Sequence, residues 1–315
     1  MQGNFHKRCY VGDNQKRRKL PFDLVRGNLV ATISWPRSSD LLGLYLERKL
    51  TMASPNLIWE DKKTLLINDV RFFVTWDARE LQEVKSSENF FLLGKSGPMI
   101  DSYVAIGQQQ NIKKIFEMGI FKGGSTVLYD QIFQPTKLVA IDYSRKKVDA
   151  LSHYIDRRKH ADVIKPFYGV NQADRSAMEQ ILAAEFPERD IDFVVDDASH
   201  FYAETRESFN ITFPYLRAGG QYVIEDWAWA HWPGDPWQTK PWHFWKRRPF
   251  RGTKAMSNLL IELFMLAASR RDLIEDIFVN HDVIIVKKGR GNLPVGQFDI
   301  GDHYLLRGKT FRAQL

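Results

Sequence analysis

The sequence predicts an α/β protein built on a Rossmann-like, doubly wound sheet of seven strands. From about Met99 onward, short buried runs of β-branched and aromatic residues alternate with helical patterns, as they do in parallel α/β sheets. A glycine-rich loop follows the first of these runs. The last two runs are separated only by a short polar turn at Asn280, which predicts an antiparallel hairpin at the C-terminal edge of the sheet. A small N-terminal α+β accessory region completes the predicted fold.

Three regions follow from this pattern. We expect an N-terminal accessory region at residues 1–98, for which oligomerisation is one role, a main domain at residues 99–290, and an extended C-terminal tail at residues 291–315. Lys95-Ser96-Gly97-Pro98 resembles a hinge between the first two regions, because glycine and proline interrupt regular structure. No residue of the N-terminal region matches a catalytic pattern.

The N-terminal region is rich in aromatic and β-branched residues, which favour strands. Leu29–Trp35 predicts a strand that stops before Pro36, and Leu41–Leu50 predicts a short helix. Leu57–Glu60 and Leu65–Trp76 predict a β-hairpin or a meander.

The main domain is predicted from alternating periodicities of helix and strand. The expected strands are Lys114–Met118, Lys137–Ile141, Val163–Tyr168, Phe193–Val195, Gln221–Ile224, Ile274–Val279 and Val283–Lys287. The expected helices are Asp101–Gln109, Ser125–Ile132, Lys146–Asp156, Ser176–Phe186, Glu204–Leu216 and Ala255–Ser269.

Composition narrows the class of protein. The net charge of +7 suggests acidic partners, yet the excess is local, in His6–Lys19 and in Lys246–Arg251. A basic tail contacts nucleic acid in some proteins, and a solvated tail is the simpler interpretation. Cys9 is the single cysteine, which excludes an intramolecular disulfide and suits a reducing compartment. No secretory or membrane-spanning run is found, so we expect a cytoplasmic protein without a membrane partner.

The loop Glu117-Met118-Gly119-Ile120-Phe121-Lys122-Gly123-Gly124-Ser125 is the first chemical motif. Glycines between a strand and a helix permit a tight turn, and the free N–H groups of the helix N-terminus attract anions. Such a loop suits a dinucleotide pyrophosphate or the carboxylate of S-adenosylmethionine. The dinucleotide fingerprint requires a glycine at position 121, where this chain has Phe121. A purely structural turn is the alternative interpretation.

Two further polar positions follow the next strands. Asp142 comes about twenty residues after the glycines, where an acidic residue accepts hydrogen bonds from ribose hydroxyls. Its alternative role is to cap a helix beginning near Ser144. Asn171-Gln172-Ala173-Asp174 follows the third strand, where Gln172 would lie near an adenine and Asp174 would otherwise serve only as a helix cap.

Acidic pairs end the fourth and fifth strands of the predicted sheet. Asp196 and Asp197 precede His200, and Glu225 and Asp226 end the following strand. Because the carboxyl ends of parallel strands open onto one crevice, these side chains should converge. Carboxylate oxygens favour Mg²⁺, and a metal ion together with a base would activate a hydroxyl nucleophile. Capping of the following helices is the alternative.

The segments VVDDASH and LRAGGQYVIEDWAWAHWPG, with the loop E-x-G-x-x-x-G-G-S, resemble class I S-adenosylmethionine-dependent methyltransferases. In particular they are similar to the metal-dependent sugar O-methyltransferases of macrolide biosynthesis, the macrocin and mycinamicin type, and to their cephalosporin-hydroxylase-like relatives. The likeness covers about residues 99–290. Ala198 departs from the family's D-D-G-S-H motif, and Val170 stands where relatives often have glycine.

This resemblance implies roles for individual residues. Mg²⁺ would bind Asp197, Glu225 and Asp226, and His200 would be the catalytic base. The residues expected around S-adenosylmethionine are Glu117, Gly119, Gly123, Ser125, Asp142, Gln172 and Asp196.

Six of the nine tryptophans lie between residues 227 and 245 and are interspersed with prolines. Flat indoles pack against sugars and macrocycles, so Trp227, Trp229 and Trp232 are the candidate substrate contacts. The alternative is a loop that buries its aromatics on the sheet edge or in a homo-oligomer interface.

The sequence therefore favours a Mg²⁺-assisted, S-adenosylmethionine-dependent O-methyltransferase acting on a sugar or a glycosylated small-molecule metabolite, as expected of natural product biosynthesis. One alternative is a non-catalytic binding or assembly protein that retains the methyltransferase fold. Another is an RNA methyltransferase that uses the basic surface, although the sequence lacks the Asn/Asp-Pro-Pro-aromatic motif expected for amino-group methylation.

Overall fold

A computed structural model describes residues 55–231 and 254–305. The predicted strand Leu29–Trp35, the predicted helix Leu41–Leu50, Cys9, both basic clusters and Trp232 lie outside these ranges. So does the end of the chain beyond residue 305.

A seven-stranded mixed sheet forms the centre of the described fold, in the order β10-β11-β9-β8-β5-β6-β7. The five strands from β5 to β9 are parallel, whereas β11 pairs antiparallel with both β9 and β10. The predicted fold class, including the antiparallel C-terminal hairpin, is confirmed. The strands are β5 (Lys114–Met118), β6 (Lys137–Asp142), β7 (Ile164–Tyr168), β8 (Ile191–Asp196), β9 (Leu216–Glu225), β10 (Ile274–Val279) and β11 (Val283–Lys288).

Helices cover both faces of this sheet because neighbouring strand residues point to opposite faces. Ile115 packs into one hydrophobic cluster and Phe116 into the other. Buried tyrosines of α2, α3 and α4 fill the first cluster, and apolar side chains of α5, α6 and α7 fill the second. The helices are α2 (Gly97–Gln109), α3 (Gly124–Phe133), α4 (Asp149–Arg158), α5 (Arg175–Glu185), α6 (Tyr202–Thr212) and α7 (Ser257–Ser269), and the short α1 (Ala78–Glu83) precedes them.

A second sheet of four strands precedes the main one, in the order β1-β2-β3-β4. Its buried side chains, among them Phe72 and Phe91, belong to the same hydrophobic cluster as Ile115 of the main sheet. The described residues, 55–231 and 254–305, belong to one compact unit. The predicted boundary at residue 98 stays a prediction. The strands are β1 (Leu57–Trp59), β2 (Thr64–Ile67), β3 (Val70–Val74) and β4 (Phe90–Leu93).

Several element boundaries differ from the predicted ones. The predicted strand Leu65–Trp76 is two strands, because the chain turns at Asn68, which adopts a φ of 55°. The strand predicted at Gln221–Ile224 begins earlier, at Leu216, so that Gly219 and Gly220 lie within β9, next to an irregularity in the β8–β9 register. Helix α4 begins at Asp149 rather than Lys146.

The residues after β11 were expected to be extended. They contain a short 3-10 helix at Ile300–Asp302, and Leu293, Phe298 and Ile300 are buried against the core. None of the described helices is long and apolar enough to cross a membrane.

Candidate active site

The glycine loop joins β5 to α3 through backbone conformations that favour glycine. Gly119 has a φ of +102° and Gly123 a φ of +82°. A Cβ atom on Gly119 would lie 2.2 Å from the backbone oxygen of Asp197. The loop therefore approaches the end of β8 closely, and this approach requires glycine.

Glu117 is buried beneath this loop. Its carboxylate accepts hydrogen bonds from the hydroxyls of Ser125 and Thr126, the second at 2.6 Å. Burial raises the pKa of Glu117 to about 7, although both hydroxyls oppose the shift. Glu117 and Ser125, both predicted cofactor residues, thus bind each other and fix the start of α3.

Asp142 ends β6 and organises the same loop. One carboxylate oxygen accepts the backbone N–H groups of Ile120 at 3.0 Å and Phe121 at 2.8 Å, and the other accepts the N–H of Ser144 at 2.7 Å. Because α4 begins only at Asp149, Asp142 does not cap that helix. It instead braces the glycine loop at the edge of a cavity.

That cavity has a volume of about 1060 Å³ and runs along the carboxyl ends of β5, β6, β7 and β8. Predicted cofactor residues from three of these strand ends line it. Segment 82–86, which comprises the end of α1 and the residues after it, contributes Gln82, Lys85 and Ser86 to its wall. The residues that line it from the predicted set are Gly119, Asp142 and Gln172, and Asp197 and Ser199 join them from the end of β8.

Gln172 links the cavity to the acidic pair at the end of β8. Its side-chain amide donates to both carboxylate oxygens of Asp196, at 3.0 and 3.1 Å, and its carbonyl accepts the backbone N–H of Ser199 at 2.8 Å. Asp196 also accepts from the hydroxyls of Ser208 and Tyr222 in the core. Burial raises the pKa of Asp196 to about 6. Asp196 therefore lies behind Gln172, while Asp174 caps α5 through the N–H of Ala177.

Asp197, His200 and Asp226 converge where β8 and β9 end. One ligand atom from each lies within 4.8 Å of the others. His200 Nε2 lies 3.0 Å from Asp197 Oδ1, and His200 Nδ1 lies 4.0 Å from Asp226 Oδ2. Two strand ends thus supply one histidine and two carboxylates to a single spot. Glu225, the third predicted metal ligand, is not among these three residues.

Backbone strain accompanies this convergence. His200 has a φ of 56° and Asp226 a φ of 51°, in the left-handed region that residues other than glycine seldom occupy. Such conformations persist where surrounding structure enforces them, and they cluster at functional sites. Ala198 does not have a positive φ, so alanine fits where related proteins have glycine.

The cluster also perturbs the ionisation of its members. Burial opposes the charged form of His200, but the hydrogen bond and the charge of Asp197 outweigh it and raise the pKa to about 9. Burial and the charge of Asp197 raise the pKa of Asp226. Burial opposes the charged form of Asp197 too, yet the charges of Lys95 and His200 hold its pKa below the usual range.

Glu225 takes a different position from Asp226. Lys95 Nζ donates to both of its carboxylate oxygens, at 2.7 and 2.5 Å, and the hydroxyls of Tyr103 and Tyr129 donate to one of them. Lys95 also donates to Asp197 Oδ2 at 3.0 Å. No sequence pattern indicates this role for Lys95, because Lys95-Ser96-Gly97-Pro98 has the composition of a polar hinge.

The tryptophans after β9 point partly inward. The indole N–H of Trp227 donates to the backbone oxygen of Asn280 at 2.8 Å, and that of Trp229 donates to the backbone oxygen of His200 at 2.9 Å. Trp229 is buried and packs edge-to-face against Phe201. These two residues fix the segment after β9 beside His200.

Residues 116–227 match a protein family described as a methyltransferase domain. This part of the chain is therefore similar to methyltransferase domains. The match begins within β5, ahead of the glycine loop, and ends just after Asp226, so it contains both halves of the site.

Several curated proteins that resemble this chain are named as O-methyltransferases. The chain is 27% identical over 237 residues to mycinamicin VI 2''-O-methyltransferase of Micromonospora griseorubida, which covers 69% of this chain and 53% of that protein. It is 32% identical over 128 residues to demethylmacrocin O-methyltransferase of Streptomyces fradiae, covering 38% of this chain and 29% of that one. The chain thus spans about half, or less, of the length of these relatives.

Solved structures of methyltransferases also match the domain. One is the MycE methyltransferase of the mycinamycin pathway in complex with Mg, SAH and mycinamycin VI, with 29% identity and a TM-score of 0.44 over 62% of this chain and 51% of that one.

Proposed function

We propose that this chain is an S-adenosylmethionine-dependent, Mg²⁺-assisted O-methyltransferase whose acceptor is a hydroxyl of a sugar or a glycosylated small-molecule metabolite. One observation carries the proposal. Asp197 lines the cavity beside the glycine loop and also contacts His200, so a donor site and an acidic cluster meet at one residue.

The cavity suits S-adenosylmethionine in size and in chemistry. Pockets that bury a small ligand measure roughly 300–1,000 Å³, and this one has about 1060 Å³. The glycine loop, which lines the cavity through Gly119, Phe121 and Lys122, would receive the carboxylate end of the donor. Asp142 and Gln172 lie at the neighbouring strand ends, where the ribose and the adenine would bind. Glu117, Ser125 and Asp196 would not contact the donor themselves. Glu117 and Ser125 would hold the glycine loop in place, and Asp196 would orient Gln172.

The acidic cluster suits a hard divalent cation. Asp197 and Asp226 offer carboxylate oxygens, and the side chain of Asp226 accepts no hydrogen bond from the residues described in 55–231 and 254–305. Burial without a hydrogen-bonding partner is unfavourable for a carboxylate, which an added cation would relieve. Mg²⁺ bound there would lower the pKa of an acceptor hydroxyl.

His200 is the proposed general base. Its ring lies between Asp197 and Asp226 and is about one third exposed, so an acceptor hydroxyl can approach it. The ring accepts a proton only when it is neutral. Positive charge nearby disfavours the protonated imidazole, so a cation on the two carboxylates would bring the pKa of His200 down from about 9.

The acceptor class rests on the relatives' names and on the aromatic segment after β9. Two of the proteins matched by sequence are named as O-methyltransferases of mycinamicin VI and of a rhamnosyl tetracenomycin C. Trp227 and Trp229 would shape the wall next to His200, and Trp232 remains a predicted substrate contact. Indoles pack well against sugar rings and macrocycles.

The proposal is tested by incubating the full chain and MgCl₂ with S-adenosylmethionine carrying an isotopically labelled methyl group and a panel of glycosylated macrolides that have free sugar hydroxyls. Mass spectrometry should find a labelled methyl ether on one sugar. If calorimetry detects no binding of S-adenosylmethionine, the enzyme proposal is wrong. If the donor binds and label is transferred only to non-glycosylated acceptors, the acceptor class is wrong.

A further inference from the structure

Lys95 is the most deeply buried cation near the acidic cluster. Its side chain is 1% exposed, and it lies between the carboxylates of Asp197 and Glu225, which come from two neighbouring strands. It belongs to the connection between β4 and α2 and is far from both partners in sequence. A buried lysine requires compensation of its charge, and here two carboxylates supply it.

The hydrogen bonds around Glu225 differ sharply from those around Asp226. Oε1 of Glu225 accepts from Lys95, Tyr103 and Tyr129, and Oε2 accepts from Lys95 at 2.5 Å. Each carboxylate oxygen has about two acceptor positions, so these contacts saturate Oε1 and occupy one position on Oε2. The side chain of Glu225 is also only 1% exposed, whereas that of Asp226 is 14% exposed.

Charge balance agrees with this difference. With His200 in the neutral form that a general base requires, Asp197, Glu225 and Asp226 together carry three negative charges, and Lys95 neutralises one of them. The remaining two negative charges match one divalent cation. The number of charged ligands sets the affinity of such a site.

We infer that Lys95 is a positioning residue that retains Glu225 in an internal ion pair, so that a divalent cation is held by Asp197 and Asp226 without Glu225 and with moderated affinity. This inference deepens the proposed function and rests on it. Two adjacent acidic residues thus have different roles: Glu225 is the internal counter-ion of Lys95, and Asp226 is a cation ligand.

The test is calorimetric titration of the full chain with MnCl₂, without methyl donor or acceptor. Glu225→Gln should keep the cation affinity within about threefold of the original, and Asp226→Asn should weaken it by on the order of tenfold or more. Lys95→Met should strengthen it by on the order of tenfold, because it removes a neighbouring positive charge and frees two carboxylates. Lys63→Met is the matched control, since Lys63 pairs with Glu80 at the surface, and it should change nothing.

A loss of affinity in Glu225→Gln as large as that in Asp226→Asn would overturn the inference, as would weaker binding in a folded Lys95→Met. If Lys95→Met does not fold, the comparison of Glu225→Gln with Asp226→Asn decides the question alone. Absence of Mn²⁺ binding in the unmodified chain would also overturn it. Because S-adenosylmethionine binding is measured separately, that outcome is distinct from failure of the methyltransferase proposal.

Discussion

The glycine loop and the acidic cluster lie at adjoining strand ends, yet they are built in opposite ways. Around the loop, the carboxylates of Glu117 and Asp142 are bonded to hydroxyl and backbone donors of the chain itself. In the cluster, His200 and Asp226 adopt strained backbone conformations, and the charges are only partly compensated. The carboxylates of the loop therefore already have their hydrogen-bonding partners within the chain, whereas the negative charge of the cluster can attract a cation.

This contrast has a physical reason. A loop that receives a methyl donor must keep its N–H groups and its shape fixed before the donor arrives, and internal hydrogen bonds accomplish this. A cluster that receives a cation must retain oxygen atoms that no other donor saturates. If the contrast is real, substitutions in the loop should act mainly on stability, and substitutions in the cluster should act mainly on catalysis.

The largest stability effect is expected for Gly119→Ala. The new Cβ would lie 2.2 Å from the backbone oxygen of Asp197, and the φ of +102° is unfavourable for alanine. We expect the free energy of unfolding in urea to fall by roughly 3 kcal/mol or more. Gly296→Ala is the matched control, because Gly296 also has a positive φ of +79° but its nearest atom is 3.7 Å away. That variant should lose about 1 kcal/mol.

Similar losses in the two glycine variants would show that the backbone conformation alone matters. The close approach of the loop to β8 would then have no energetic consequence, and the loop would be less rigid than the contrast requires.

An effect that depends on pH is expected for Glu117→Gln. Burial raises the folded-state pKa of Glu117 to about 7, above its unfolded value of 4.5, so the folded protein binds this proton more tightly. The stabilisation is present below pH 4.5 and is lost as the pH rises through 7, by roughly 3 kcal/mol in total. Glutamine is neutral, so the variant should lack this part of the decline in unfolding free energy between pH 5 and 8.

Glu188→Gln, at an exposed position, is the control for that measurement and should reproduce the original pH dependence. An unchanged decline in Glu117→Gln would mean that the buried carboxylate is not the group that titrates.

Smaller losses of stability and of donor affinity are expected for Lys122→Met. Lys122 Nζ donates to the backbone oxygens of Leu81, Gln82 and Val84, and thereby ties the glycine loop to the end of α1. We expect a loss of about 1 kcal/mol in unfolding free energy and roughly threefold weaker binding of S-adenosylmethionine, because segment 82–86 forms a wall of the cavity. Lys159→Met at an exposed helix end is the control. Unchanged donor affinity in Lys122→Met would show that this wall does not contact the donor.

The main sheet was predictable from sequence because its strands are short runs of buried residues separated by polar helices. The predicted strand Lys114–Met118 matches β5, and the C-terminal hairpin was placed within one residue. Convergence of Asp197, His200 and Asp226 followed from one rule, that parallel strands end on the same side of a sheet.

Other features could not be read from local pattern. Lys95 lies in a segment whose glycine and proline indicate a loop. No neighbouring residue predicts that its partners are Asp197 and Glu225, which are more than one hundred residues away in sequence. Adjacent positions on a strand face opposite ways, yet sequence does not say which of Glu225 and Asp226 meets a buried lysine. The inward hydrogen bonds of Trp227 and Trp229 likewise depend on where residues distant in sequence come to lie.

The central claim, that the acidic cluster performs the chemistry and the glycine loop holds the donor, is tested most directly by His200→Ala. Transfer of a labelled methyl group to the accepted sugar and binding of S-adenosylmethionine are measured on the same preparation, with exposed His153→Ala as the control. We expect methyl transfer to be roughly 10²- to 10⁴-fold slower, which is the usual contribution of a general base, with donor affinity unchanged. Full transfer activity in His200→Ala at pH 7 would contradict it.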